Sequence, residues 1–389
     1  MKTFRLFILL MFTGICTFSQ DAVHNYGNIQ IHNTGEVGFH MDIINDGAFN
    51  QNEGLVGFYS EDTLTISGSS NPVFHDAEVE VDNNLFVENT IGIRNNFNFI
   101  LGDVITPRDE SNINLNFIGD SFYNGEGSDT KIDGYASITG QLEFTFPVGQ
   151  DGRLRPLSIT SSTINPYAKC AYFYEDPNTP STFSESFDTS AVETDSLSIS
   201  TNEFWHLEGS ESSRITLSWD DLSFASLFAA STTDLRIVGW NNSQKQWVDL
   251  GSTNIDGDLN NGTITSEEFI PNDYAIITIG GNSDALGTLS LVELDNYYMT
   301  PNGDGINDVL VIEGLENSPN NSLQIFNRYG IMVYAKQNYD NSFDGLANVK
   351  GAFSRNSGLS SGIYYYVITL DDLNEKHQGY LYLTTYKKQ

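Results

Sequence analysis

Asn33-Thr34-Gly35-Glu36-Val37-Gly38-Phe39-His40 recurs 19 residues later as Asn52-Glu53-Gly54-Leu55-Val56-Gly57-Phe58-Tyr59. Each copy opens on Asn and a turn-forming Gly, then runs into a short stretch whose apolar side chains alternate, as in a half-buried strand. A weaker copy, Asn71-Pro72-Val73-Phe74-His75, follows after another 19 residues, and Asn89-Thr90-Ile91-Gly92-Ile93 comes 18 after that. A period near 20 with Asn/Gly corners predicts a β-solenoid, in which each coil buries its apolar face only against its neighbours. The alternative is an ordinary sandwich carrying two similar hairpins.

The same grammar extends outward. Ile29-Gln30-Ile31, Leu64-Thr65-Ile66, Glu78-Val79-Glu80-Val81 and Ile113-Asn114-Leu115-Asn116-Phe117 alternate with period two between Gly, Asn, Asp, Ser and Thr. No long stretch carries a helical period, so the chain reads as all-β. A solenoid-like or otherwise β-rich region is expected over 21–130. From 131 to 284 the pattern becomes that of a central antiparallel β-sandwich, with strands at Arg214–Trp219, Leu235–Trp240 and Tyr274–Ile279. Gly280 to Asp284 reads as a linker.

Residues 1–20 have the order of a secretory signal peptide: Lys2 and Arg5, the apolar run Leu6 to Phe12, then Thr13, Gly14 and a small polar end. The run is too short to span a membrane. Cys16 would suggest a lipid anchor, but Ile15 stands where a small residue is needed before it. The mature chain then keeps one cysteine, Cys170, so an internal disulfide is excluded, and its apolar surroundings predict a buried, inert thiol. Residues 21–285 hold 40 acidic and 9 basic side chains, against 11 and 7 in 286–389. An anionic body of this kind repels nucleic acid and anionic lipid and keeps an exported protein soluble.

Catalytic patterns are missing. There is no Gly-x-Ser-x-Gly elbow, no Cys/His signature around Cys170 and no phosphate-cradling loop. His24, His32 and His40 are spaced by eight, too far apart on one strand to share a metal. Trp205, Trp219, Trp240 and Trp247 are expected in a sandwich core, with a sugar-stacking platform as the alternative. Asp256-Gly257-Asp258-Leu259-Asn260-Asn261-Gly262 reads as a hairpin turn. Pro301-Asn302-Gly303-Asp304-Gly305-Ile306-Asn307-Asp308 could wrap calcium through Asn302, Asp304 and Asp308, or close by Asx turns without an ion. No residue receives a catalytic or cofactor-binding role. The chain is read as a non-enzyme that requires no cofactor, calcium being the one candidate ion.

Thr300-Pro301-Asn302-Gly303-Asp304-Gly305-Ile306-Asn307-Asp308 also resembles the opening of the gliding-motility-associated C-terminal domain of Bacteroidetes, the type B sorting domain of type IX secretion. Leu323-Gln324-Ile325-Phe326-Asn327-Arg328-Tyr329-Gly330 looks like its central hairpin. Val333-Tyr334, Asn341-Ser342-Phe343-Asp344-Gly345, Ser361–Val367 and Gly379–Leu383 follow in the family's order. Phe343 stands where the family usually has Trp, Ser360 where Pro is usual, and Asn348 to Ser357 looks longer than typical, which touches loop shape rather than the resemblance. Leu323, Ile325, Val333, Ile363, Tyr365 and Val367 are expected on inner faces, with Asn327 to Gly330 as the turn.

The resemblance implies an Ig-like β-sandwich over 288–389, read by the type IX translocon and its outer-membrane accessory proteins after Sec export. The protein would then be secreted or held at the outer cell surface, with residues 21–285 as passenger. Thr145-Phe146-Pro147-Val148-Gly149 and Arg155-Pro156-Leu157 are similar to segments of passengers beside such domains, without a role attached. The expected function is a non-catalytic, adhesin-like or structural surface protein, linked to gliding motility or attachment. Surface glycans or other adhesion ligands are its expected partners and nucleic acid is not. The alternative is a secreted polysaccharide-binding or polysaccharide-degrading protein.

Overall fold

The computed structural model describes residues 22–282, 297–312, 315, 320–349, 358–370 and 375–384. The signal-peptide reading of residues 1–20 lies outside them. The described residues form strands and four single 3-10 turns, with no α-helix among them. The chain divides into two compact units. One is the chain up to Gln141 with Phe146–Leu154 and Asn165–Ala171; the other is Leu142–Thr145, Arg155–Ile164 and the chain from Tyr172 on.

The first unit is a β-solenoid. Ala22–Asn25, Asp42–Asn45, Leu64–Ser67, Leu85–Val87, Val104–Ile105, Ile132–Asp133 and Val148–Gln150 stack as one parallel sheet. Glu36–Phe39, Leu55–Ser60, Val73–Val81, Ile91–Leu101, Leu115–Ile118 and Ala136–Thr139 stack as a second. The chain alternates between them, one strand to each sheet per coil. Parallel pairing between successive coils excludes the hairpin alternative, because a tight hairpin joins antiparallel strands.

The founding repeat is a structural register. Glu36 pairs with Leu55, Val37 with Val56, Gly38 with Gly57 and Phe39 with Phe58, an offset of 19. The next coil is longer: Leu55 pairs with Asp76 and Phe58 with Val79, an offset of 21. The weaker copy at Asn71–His75 is therefore out of phase with Asn52–Tyr59. Ile29-Gln30-Ile31 forms no strand; its neighbour Asn28 only bridges Ala48.

Stacked side chains fill the solenoid interior. Phe39 and Phe58 stack with ring centroids 6.1 Å apart, and Phe49 meets Phe74 edge-on at 5.2 Å. Buried asparagines satisfy the corners. Asn25 donates to Asn45 Oδ1 at 2.7 Å, and Asn45 and Asn89 both donate to the Ser70 carbonyl, at 2.7 and 2.8 Å. Further along the stack, the fully buried Lys131 ammonium meets Asp103 at 2.6 Å and the Ser128 carbonyl at 2.7 Å. Arg108 pairs with Asp133 at 2.6 Å and donates to the Gly149 carbonyl at 3.0 Å.

The second unit contains two antiparallel sheets and the C-terminal sheet. Gln141–Phe146, Leu157–Asn165, Ser213–Trp219, Gly262–Thr265 and Asn254–Gly257 lie in that order. Phe204–Gly209, Tyr274–Asn282, Leu235–Asn241 and Gln246–Asp249 form the other sheet, with Leu197–Ile199 also on Tyr274–Asn282. Gly280 and Gly281, read as linker, are strand residues paired with Arg236 and Leu235. Glycine is needed there for close approach: a Cβ on Gly281 would lie 1.8 Å from the Phe228 carbonyl oxygen, and one on Gly280 2.5 Å from that of Ser198.

The C-terminal sheet has the order Tyr297–Met299, Glu375–Leu383, Gly362–Leu370, Asn321–Asn327, Met332–Gln337. Leu323, Ile325 and Val333 lie in its core as expected. The phase of Gly362–Leu370 is the reverse of the sequence reading. Tyr364, Tyr366 and Ile368 point into the core, while Ile363 and Tyr365 are 48% and 52% exposed. Three consecutive tyrosines give alternation no contrast, so the phase falls to the cross-strand partners: Tyr364 sits opposite the buried Leu381. Val367 is buried on the outer side, away from that core.

Candidate functional site

The segment Thr300–Asp308 is a closed loop held by its own side chains. Gly303, Gly305 and Asn307 have φ of 81°, 87° and 53°, so the backbone curls in the left-handed region that Gly and Asn tolerate. Asp308 sits inside the curl. Its Oδ1 accepts from Asn302 N at 2.9 Å and Gly303 N at 2.7 Å, and its Oδ2 from Gly305 N at 2.7 Å. These N–H groups hold the carboxyl below the usual carboxylate range, the Gly303 and Gly305 amides most strongly.

Asn302 and Asp304 form successive Asx turns. Asn302 Oδ1 accepts from Asp304 N at 2.9 Å, and Asp304 Oδ1 from Ile306 N at 2.8 Å. Asn302 Nδ2 donates to Asp304 Oδ2 at 2.8 Å. Thr300 closes the mouth, donating from N to the Asn307 carbonyl at 2.8 Å and from Oγ1 to the Ile306 carbonyl at 3.1 Å. Pro301 packs over Gly345: a Cβ added there would lie 3.2 Å from the Pro301 ring. The structure thus gathers Asn302, Asp304 and Asp308, but their oxygens are taken up by backbone N–H groups of the loop and by the Asn302 side-chain amide.

The hairpin is organised by Asn327. Its Oδ1 accepts from Tyr329 N at 2.9 Å and Ile331 N at 3.0 Å, and its carbonyl accepts from Gly330 N at 2.9 Å. Gly330 has φ 72°. Arg328 is exposed, lies over the Tyr329 ring at 4.9 Å and donates to its hydroxyl at 2.7 Å. Phe326 is half-buried on the outer face of the sheet. Phe343, at 1% exposure, fills the core edge-on to Tyr334 at 4.6 Å. The Tyr339 hydroxyl donates to the Leu310 carbonyl at 2.6 Å and accepts from Phe343 N at 3.1 Å.

Sequence reading missed the outer face of this sheet. Tyr365 sits opposite Tyr380 and Ile363 opposite Tyr382, and Tyr298 stacks on Tyr382 with nearly parallel rings 5.9 Å apart. All five are exposed, and none is charged. Its signal in the sequence is Tyr and Ile at every second position, which fits either phase of the strand.

Residues 292–383 match the family model of the CHU_C Type IX secretion signal domain. They are a C-terminal sorting domain. This chain is accordingly exported through the type IX system, to the cell surface or the medium, and the type IX machinery is its partner. No curated protein and no solved structure matches the chain.

The remaining candidates resolve as follows. Trp205, Trp219, Trp240 and Trp247 are all buried, at 0 to 4% exposure, so they offer no stacking platform. Asp256–Gly262 is a hairpin corner in which Asp258 Oδ1 accepts from Asn260 N at 2.7 Å. His24 pairs with Asp46 at 2.6 Å, and His40 lies against the Tyr59 ring at 5.5 Å. Among the described residues no three of His, Cys, Asp and Glu converge on a metal position. Cys170 is fully buried, and burial pushes its thiol well above its ordinary pKa.

Proposed function

We propose that residues 21–285 form a non-catalytic passenger, adhesin-like or structural, which the sorting domain delivers to the outer surface for attachment. The observation that supports this reading is the solenoid itself. Parallel in-register stacking repeats one outer surface coil after coil, which suits an extended binding or spacer face. Its outward rows mix polar and apolar side chains: Glu36, Leu55, Asp76, Asn96 and the exposed Phe122 share one, and Gly57, Glu78, Asn98 and Asn124 share the next. Tyr59 lies across Gly57 and donates its hydroxyl to Glu78. Burial of the four tryptophans counts against a polysaccharide-binding platform built on them.

The test is a glycan-array and hydrolysis screen of the exported protein beside a cell-attachment assay of the deletion strain. Reduced attachment without turnover of any polysaccharide is the expected result. Release of reducing ends from any substrate would overturn it.

A further inference from the structure

Three observations meet at Phe224, within the second unit. The residue stands between the 3-10 turns Asp221–Ser223 and Ala225–Leu227 with φ 51° and ψ 42°, a left-handed conformation that bulky side chains rarely adopt. An anchor holds it there. Asp220 caps the first turn, its Oδ1 accepting from Leu222 N at 2.9 Å, and Asp220 N donates to Ser223 Oγ at 3.1 Å. Ser223 Oγ also accepts from the buried Arg155 guanidinium at 2.8 Å. Arg155 of the Arg-Pro-Leu segment, which the export function leaves without a role, thus fixes the turn that presents Phe224.

The ring is presented to the sorting domain. Phe224 meets Phe326 edge-to-face, with ring centroids 5.8 Å apart. Gly330 provides the floor: a Cβ there would lie 2.4 Å from the Phe224 ring. Nearby, Val367 is only 3% exposed although it belongs to the outer face of the sorting sheet. A cleft of about 540 Å³ beside the contact is lined by Asn202, Phe224, Phe326, Tyr365, Val367 and Tyr380 among others.

We infer that Phe224 is a docking knob by which the central sandwich seats intramolecularly on the sorting domain, against Phe326 and Gly330. One aromatic contact would hold two separate proteins poorly, but here both sides belong to one chain, which raises their effective concentration to the millimolar range (~1 mM). The docked state therefore belongs to the intact chain. It covers the Phe326 end of the outer face and leaves Tyr298, Ile363 and Tyr382 exposed.

The direct test places p-benzoylphenylalanine at position 224 of the intact protein. Irradiation should give an intramolecular cross-link to the peptide that contains Phe326 to Gly330. Cross-links confined to sandwich peptides, or joining two chains, overturn the inference. Phe224→Gly is the second variant, because Gly accepts the left-handed turn while removing the ring. It should speed hydroxyl-radical oxidation of Phe326 and Val367, the covered residues of this face, and leave Tyr298 and Tyr382 unchanged. Unaltered rates at Phe326 and Val367 would count against the knob.

Discussion

Arg155 and Glu203 show what a buried charge requires. Arg155 is 2% exposed and Glu203 fully buried, and the two are joined by hydrogen bonds. Arg155 Nε donates to Glu203 Oε2 at 3.0 Å, its Nη2 to Oε1 and to Ser223, and Tyr172 adds a hydroxyl to Glu203 at 2.6 Å. The guanidinium also lies over the Tyr172 and Trp205 rings, at 5.7 and 5.4 Å. Desolvation is the largest single effect and disfavours the charged guanidinium, but Glu203, Tyr172 and Asp220 together outweigh it and the pKa of Arg155 rises. Removing one partner strands the other, so Glu203→Ala should cost ~3–5 kcal/mol, read as a lower urea midpoint, and the double change R155M/E203L should recover most of it. The exposed Asp46 shows the opposite balance. His24 and the Ser69 N–H and hydroxyl lower its pKa to about 2 from 3.8. A depressed carboxylate stabilises the fold above its unfolded pKa, and that contribution fades as pH falls through the folded value. Acid titration of the Ser69 amide shift should show a midpoint near 2, and Asp46→Asn should abolish it. The Thr300–Asp308 loop satisfies its carboxylates internally. Millimolar calcium and chelator should therefore give the same melting midpoint, while Asp308→Ala lowers it.

At the scale of one coil, the asparagine corners carry the stacking. Asn52, at 2% exposure, accepts from Ile31 N at 2.9 Å and donates to the Phe49 carbonyl at 3.1 Å and the Val73 carbonyl at 2.8 Å. It thereby ties its own coil to one on either side. Asn52→Ala leaves buried backbone groups unmatched and should cost ~2–3 kcal/mol, measured by denaturant unfolding. Asn52→Asp should fail as well, because an ionised carboxylate cannot donate to the two carbonyls. The same corner explains what could be read from sequence. Two coils of equal length repeat at 19, so pattern and register coincide at Glu36–Phe39 and Leu55–Phe58. The next coil is longer by two residues, and the similarity of Asn71–His75 to Asn52 and its followers then points to the wrong partners. Closed turns in the sorting domain were legible because Gly and Asn at positive φ are compositional demands. The phase of Gly362–Leu370 was not, since Tyr serves an inner or an outer face equally well. Arg155 and Glu203 were hidden for a third reason: nothing local marks two residues 48 apart as partners.

Across the whole molecule, charge and fold divide the work. The passenger carries 40 acidic and 9 basic side chains, while 286–389 carries 11 and 7. The outer face of the sorting sheet adds exposed Tyr298, Ile363, Tyr365, Tyr380 and Tyr382. Anionic surface resists non-specific contact, whereas exposed aromatic surface on a folded domain marks a place of recognition. Recognition of this chain by the export machinery should therefore reside in residues 292–383 and be indifferent to the passenger. Two variants separate necessity from sufficiency. Deleting residues 292–383 should leave the passenger in the periplasm, folded, with its buried tryptophan fluorescence intact. Fusing residues 283–389 to an unrelated periplasmic reporter should carry that reporter to the surface or medium. Ile363→Lys together with Tyr382→Lys changes only exposed positions, at 48% and 43% exposure, so the domain should still fold. If the aromatic face is what the machinery reads, this variant accumulates in the periplasm like the deletion. Surface display at the wild-type level would move recognition to another part of the domain, with the Thr300–Asp308 loop as the next place to look.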